Sequence, residues 1–159
     1  MDHLRETAFD SPFAEDGARL LRRTFALARF AKGRGNGPYG ALLARGGSVL
    51  VEGENTENEP DGDLTCHAET VLLRRAAAEF SRAQFEELTL YASTEPCPMC
   101  AGAIALSGVK RLVYGASAER AAERTGSPLA MDCRVILSIL APELEVVGPV
   151  LELEALECL

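Results

Sequence analysis

Leu88-Thr-Leu-Tyr-Ala-Ser-Thr-Glu-Pro-Cys-Pro-Met-Cys-Ala-Gly-Ala-Ile-Ala-Leu-Ser-Gly-Val-Lys-Arg-Leu-Val-Tyr114 decides the fold. Leu88 to Ala92 reads as a buried strand, Met99 to Leu106 as a helix behind a proline, and Arg111 to Tyr114 as another strand. Upstream, His67 to Phe80 places Val71, Leu72, Arg75 and Ala78 at helical spacing. Before it, Tyr39 to Arg45 and Val49 to Gly53 read as strands turning at Gly46-Gly47, a hairpin. An opening helix is signalled by Ser11 as cap and Pro12 at the first helical position. Leu20, Thr24, Leu27, Ala28 and Ala31 share one of its faces, and it runs to about Lys32, where Gly33, Gly35 and Gly37 with Asn36 and Pro38 break it. Beyond Gly115 the pattern predicts helices near Ala118 to Glu123 and Asp132 to Leu140, a strand around Glu145 to Val147 and a short closing helix. Strands alternating with helices predict an α/β fold, a sheet between helix layers.

A chain of 159 residues with ordinary apolar and charged fractions is long enough to close one core, and a single domain over 1–159 is expected. Met1 to Asp10 carries charges and no apolar run, and no stretch elsewhere is long enough to span a bilayer, so the expectation is a cytoplasmic protein with no membrane partner. Sixteen lysines and arginines face 24 aspartates and glutamates, and the net charge of −8 opposes phosphate backbones, which disfavours a nucleic-acid partner. Five cysteines, an odd number with two in a Cys-x-x-Cys, suit a reducing compartment and metal ligation better than a disulfide framework.

The chemistry gathers at two helix starts. Cys97 and Cys100 lie three apart with Pro98 in the first turn, among free amides and the positive end of the helix dipole, where thiolates are favoured. His67, at another helix start on the same edge of the sheet, supplies a third ligand. Three protein ligands leave zinc one open position, which distinguishes a catalytic zinc from a closed structural one. Water bound there loses a proton near neutral pH, and Glu69, two residues after His67, is placed to take it and pass it to a leaving group. The plainer readings are two buried thiols or half of a structural zinc finger, but no second Cys-x-x-Cys or His-x-x-x-His is present.

His-x-Glu followed by Pro-Cys-x-x-Cys is an established signature of zinc-dependent nucleobase deaminases. Four stretches extend it: Gly37-Pro-Tyr-Gly-Ala41, Gly53-Glu-Asn55, Thr65-Cys-His-Ala-Glu69 and Ser93-Thr-Glu-Pro-Cys-Pro-Met-Cys-Ala-Gly-Ala-Ile104. Together the chain resembles the cytidine-deaminase-like superfamily, in the branch that holds guanine deaminases, fungal-type cytosine deaminases and tRNA adenosine deaminases. The resemblance implies a three-layer α/β/α sandwich with a five-stranded mixed sheet, a homodimer, and Asn55 hydrogen-bonding the base. It also implies that the amide of Ala68 and the carbonyl near Glu95 hold the substrate, with Tyr39 beside the ring. On its own, Asn55 reads as a turn asparagine and Tyr39 as core. Asn55 precedes His67 by twelve residues where the resemblance implies about eleven, which predicts a bulged loop. Cys66 stands where alanine is common and reads as a packed thiol, since a residue adjacent to His67 points away from its side.

Other features carry less. Gly35-x-Gly37-x-x-Gly40 matches a dinucleotide fingerprint by letter, but it follows a helix and enters a strand, the reverse of what a phosphate needs. Arg22-Arg23 and Arg74-Arg75 read as solvated or salt-bridged helix faces, His3 as without a role, and Cys133, Cys158 and Met131 as apolar fillers. From Glu143 to Leu159 there are five glutamates and no basic residue, a tail that repels phosphate. It reads either as a solvated amphipathic end or as a flap closing the pocket with a carboxylate from Glu152, Glu154 or Glu157.

The expected function is hydrolytic deamination of a small free nucleobase or nucleoside. Zinc-bound hydroxide attacks the amine-bearing carbon, Glu69 shuttles the proton, and a keto base and ammonia leave. The Gly-Pro-aromatic-Gly-Ala stretch looks most like the guanine deaminases, so a guanine-like purine comes first and a cytosine-like base next. The alternatives are a tRNA adenosine deaminase and, from another class, a zinc-stabilised interaction module without chemistry.

Overall fold

The structure is a computed structural model and describes residues 13–159. Ser11, Pro12 and His3 lie outside the described residues. Helix α1, Phe13–Gly33, leads into the hairpin of β1, Gly40–Arg45, and β2, Ser48–Glu54. Helix α2, Ala68–Ala77, and the short α3, Arg82–Phe85, precede β3, Thr89–Thr94. Helix α4, Pro98–Ser107, crosses to β4, Arg111–Ala116. Then come α5, Ala118–Thr125, α6, Cys133–Leu140, β5, Glu145–Val147, and α7, Glu152–Leu156.

The five strands form one sheet in the order β2-β1-β3-β4-β5. β1 runs antiparallel to both β2 and β3, while β3, β4 and β5 are parallel, which makes the sheet mixed. Alternation along the strands sends side chains to opposite faces. Leu42, Tyr91 and Val113 pack on one face against Leu20, Leu21 and Phe25 of α1 and Leu156 of α7. Leu43, Leu90 and Leu112 pack on the other against Leu72 of α2, Ile104 of α4 and Leu137 of α6. The α/β/α sandwich expected from the sequence is therefore present.

Leu20, Thr24, Leu27, Ala28 and Ala31 are all buried, as one helical face requires. Two glycines let the helices seat closely on the sheet. A Cβ at Gly40 would lie 2.4 Å from the Thr24 carbonyl oxygen of α1, and one at Gly53 would lie 2.6 Å from the Ala68 carbonyl oxygen of α2. α3 escapes the sequence reading, which carries helix α2 on to Phe80. Its signal was present: Ser81 and Gln84 make a reciprocal capping box.

Two further readings are corrected. Met131 is not a filler, because it sits 44% exposed on the segment between α5 and α6, with no layer to pack against. The acidic tail does not close the pocket: α7 docks through Ala155 and Leu156, and its glutamates find partners elsewhere. Glu152 accepts from the Ser117 amide and hydroxyl and pairs with Arg120, Glu154 pairs with Arg22 on α1, and Glu157 is exposed.

Candidate active site

His67 and Cys97 occupy the same structural position on two helices. Each is an N-cap residue with extended backbone, φ −69°, ψ 158° at His67 and φ −66°, ψ 168° at Cys97, and neither side chain caps its own helix. Both are free to turn toward one point at the sheet edge. Pro98 at the first position of α4 fixes the approach, and Cys100 follows one turn in.

The three side chains converge. Cys97 Sγ lies 3.5 Å and Cys100 Sγ 3.7 Å from His67 Nδ1, and the three ligand atoms all fall within 4.8 Å of one another. Tetrahedral zinc with ordinary Zn–S and Zn–N bonds sets sulfur and nitrogen ligands about 3.6 Å apart, so the donor set and its spacing fit zinc. Hydrogen bonds from the Cys100 thiol and from His67 hold the Cys97 thiol down at about 4. The Cys97 hydrogen bond and burial push Cys100 up, and the same cysteine raises His67. One thiolate is thus already favoured, and a dication held there would ionise the second.

Glu69 sits in the first turn of α2, 7% exposed, and accepts a hydrogen bond from Cys100 Sγ at 3.4 Å. Burial pushes its carboxyl above the usual carboxylate range. It lines a cavity of about 240 Å³ together with His67, Cys97, Asn55, Tyr39 and Glu95. Asn55 unites the two readings of the sequence. Its Oδ1 accepts the Glu57 amide in an Asx turn, while its side chain, 1% exposed, lines the cavity, and no acceptor holds Nδ2 among the described residues. Ala68 is the first residue of α2, where its N–H has no carbonyl within the helix to reach. Tyr39 is half-buried against the cavity, and burial raises its phenol.

Glu95 plays a part the sequence did not show. The residue lines the cavity, but its buried carboxylate accepts from the Ala118 amide at one oxygen and the Cys133 amide at the other, both at 2.8 Å. It therefore caps the starts of α5 and α6 together. Sequence reasoning also missed Ala118, Ala121 and Thr125 of α5, which wall the cavity, and Glu57. The Thr94 hydroxyl, on the same wall, is buried without a hydrogen-bond partner among the described residues. Cys66 is a packed thiol approached by Arg74 and stands outside the ligand group.

The loops around the cavity are stitched. Asn55 N–H donates to the Tyr39 carbonyl, Asn36 Oδ1 accepts the Asn58 amide, and Glu59 receives Asn36 and both arms of Arg34. Those bonds hold Glu59 down at about 2.

A three-ligand metal position beside a buried carboxylate, at the edge of an α/β/α sheet, defines a zinc-dependent hydrolytic enzyme. Residues 14–116 match the family described as the cytidine and deoxycytidylate deaminase zinc-binding region, and the chain belongs to it. A probable cytosine deaminase of Schizosaccharomyces pombe is 36% identical over 151 residues, 90% of each chain. A tRNA-specific adenosine deaminase of Haemophilus influenzae is 39% identical over 105 residues, 65% of this chain and 60% of that one. The guanine deaminase structure from Bacillus subtilis superposes with a TM-score of 0.63 at 34% identity, over 76% of this chain and 74% of that one. The chain is thus a zinc-dependent deaminase.

Proposed function

We propose that the protein deaminates a free amino-substituted nucleobase or nucleoside, replacing the exocyclic amine with oxygen from water and releasing ammonia. The observation that carries this reading is Glu69, buried 3.4 Å from a metal-ligand thiol in a cavity that Asn55 also lines. At about 240 Å³ the cavity lies below the roughly 300–1,000 Å³ of drug-sized sites and suits one ring system.

His67, Cys97 and Cys100 would hold the zinc, which when bound would supply a Lewis acid that lowers the pKa of water toward neutral. Glu69 takes the water proton, delivers it to the ring nitrogen beside the amine-bearing carbon, and then protonates the departing amine. A carboxyl raised by burial suits both halves of that cycle. Asn55 offers its Nδ2 donor to the ring, the Ala68 N–H and the carbonyl near Glu95 hold its polar edge, and Tyr39 lies alongside.

A guanine-like purine is the first candidate ring and a cytosine-like base the second. Similarity to the B. subtilis guanine deaminase supports the former, and the length of the match to the S. pombe protein supports the latter. Among the described residues no lysine or arginine lines the cavity, which counts against a tRNA substrate.

The reading extends to a single catalytic unit over residues 1–159 in the reducing cytoplasm, and to a homodimer. α4 has no charged residue, and the exposed Leu106 on it with Val135 and Ile139 on α6 offer an apolar face for a second copy. Ammonia release from a panel of bases and nucleosides, wild type beside Glu69→Gln, tests the function. Release from a base that Glu69→Gln abolishes is expected. Activity surviving in the variant defeats the mechanism, and a gel shift with tRNA at low salt defeats the small-substrate assignment.

A further inference from the structure

With one exception, the acids along β2 and the loop that follows it are either held by partners or turned away from the cavity. Asp63 accepts from Thr65, and Asp61 is exposed outside the cavity lining. Glu52, Glu54 and Glu59 are each paired with an arginine, Arg23, Arg75 and Arg34. Glu57, between them, has no ion pair and no side-chain hydrogen bond among the described residues, and it lines the cavity. Its backbone amide closes the Asx turn on Asn55, so both side chains leave the same turn beside the same cavity. Burial chiefly raises the Tyr39 phenol at the same cavity, and Glu57 adds to that after Glu69.

Of the other acids at the cavity, Glu69 is committed beside the metal ligands and Glu95 to two helix amides. Among the described residues Glu57 is therefore the cavity carboxylate left free to meet a ligand. Such an acceptor pairs with N–H donors and repels phosphate, and among the described residues no lysine or arginine in the lining offsets it. A free base carries an N–H at the ring nitrogen that a nucleoside has blocked with its sugar.

We propose that Glu57 is the specificity-determining residue of this pocket, accepting a hydrogen bond from a ring N–H and so selecting the free, unphosphorylated base over its nucleoside and nucleotide. The assignment rests on the deaminase reading given above and narrows its substrate class. It places on the loop before α2 the base-binding carboxylate that the acidic tail does not provide.

The test compares kcat and KM of the zinc-loaded protein for guanine and cytosine, their nucleosides and their 5′-monophosphates, in wild type and Glu57→Gln. The substitution leaves the Asx turn intact, because that bond uses the backbone amide. Wild type is expected to favour base over monophosphate by at least about a hundredfold, from the loss of one charge-assisted contact together with repulsion between the carboxylate and the phosphate. In Glu57→Gln, KM for the base rises about tenfold with kcat within about threefold, and the preference over the monophosphate shrinks. A preference unchanged within about twofold, or an equal loss on all substrates, overturns the assignment. If wild type releases ammonia from none of them, the deaminase reading itself has failed. Calorimetric binding of the bases then decides Glu57 separately: weaker binding in Glu57→Gln supports it, and equal binding overturns it.

Discussion

Gly53→Ala tests whether the seating of α2 on the sheet sets the position of the catalytic carboxylate. The added Cβ would fall 2.6 Å from the Ala68 carbonyl oxygen and 2.8 Å from Leu72 Cβ. A carbon–oxygen contact relaxes at about 3.3 Å, so the first turn of α2 must lift by about 0.7 Å. That turn holds Glu69, and His67 precedes it directly. A misplacement of about 1 Å costs roughly a hundredfold in rate, so a fall of about ten- to thirtyfold in kcat/KM is expected. Overpacking of this kind costs about 1–3 kcal/mol, or roughly 2–4 °C in Tm for each kcal/mol in a chain of this size. Gly40→Ala is the control. Its Cβ would meet the Thr24 carbonyl oxygen at 2.4 Å and Leu27 Cβ at 2.5 Å, pushing on α1, which carries no site residue. It should lower Tm at least as far while kcat/KM stays within about threefold. Thermal melts and ammonia release on zinc-loaded protein measure both effects. Equal Tm losses with unchanged kcat/KM in Gly53→Ala would refute the coupling.

Removing zinc with a chelator should abolish ammonia release and lower Tm, with both restored by added zinc. Cys100→Ala should purify with little bound metal, as elemental analysis would show. Glu95→Ala removes two charge-assisted bonds to helix amides and is expected to cost about 3–5 kcal/mol in urea unfolding, with Glu95→Gln costing about half. A loss below about 1 kcal/mol in the alanine variant would contradict the double cap. Tyr114, 2% exposed, has its phenol pushed up to about 12 by burial. The unfolded chain ionises that group from about pH 10, so the stabilisation is fully present below pH 10 and is lost as pH rises through about 12. Urea titrations should show an alkaline decline of order 2 kcal/mol from this group, absent in Tyr114→Phe.

Much of this was legible in the sequence, for local reasons. Gly46-Gly47 between two apolar runs specifies the hairpin, and Pro98 after Cys97 specifies a helix start with a free N-cap side chain. The metal ligands followed because two N-caps on one sheet edge have few other ways to face. α3 was missed because one turn leaves no periodicity, although Ser81 and Gln84 marked it. Glu95 was read for its carbonyl alone, since its carboxylate acts on amides 23 and 38 residues away, a separation no local pattern records. The tail went the same way. Glutamates without nearby bases look free in sequence, but Arg22 and Arg120 reach them across 132 and 32 residues. Glu57 was hidden among like-charged neighbours, and only its place in the cavity lining, away from their arginines, separates it from them.

The two amides held by Glu95 bear on how this protein could diverge. The carboxylate two residues before Cys97 anchors the starts of both helices that flank residues 126–132, so that segment hangs between fixed posts. Ser127, Leu129 and Ala130 on it face the cavity without touching the metal position. Substitutions there would change the wall of the cavity and leave the ligand residues untouched. The metal ligands and this part of the cavity wall thus sit on separate segments of the chain, joined through one carboxylate.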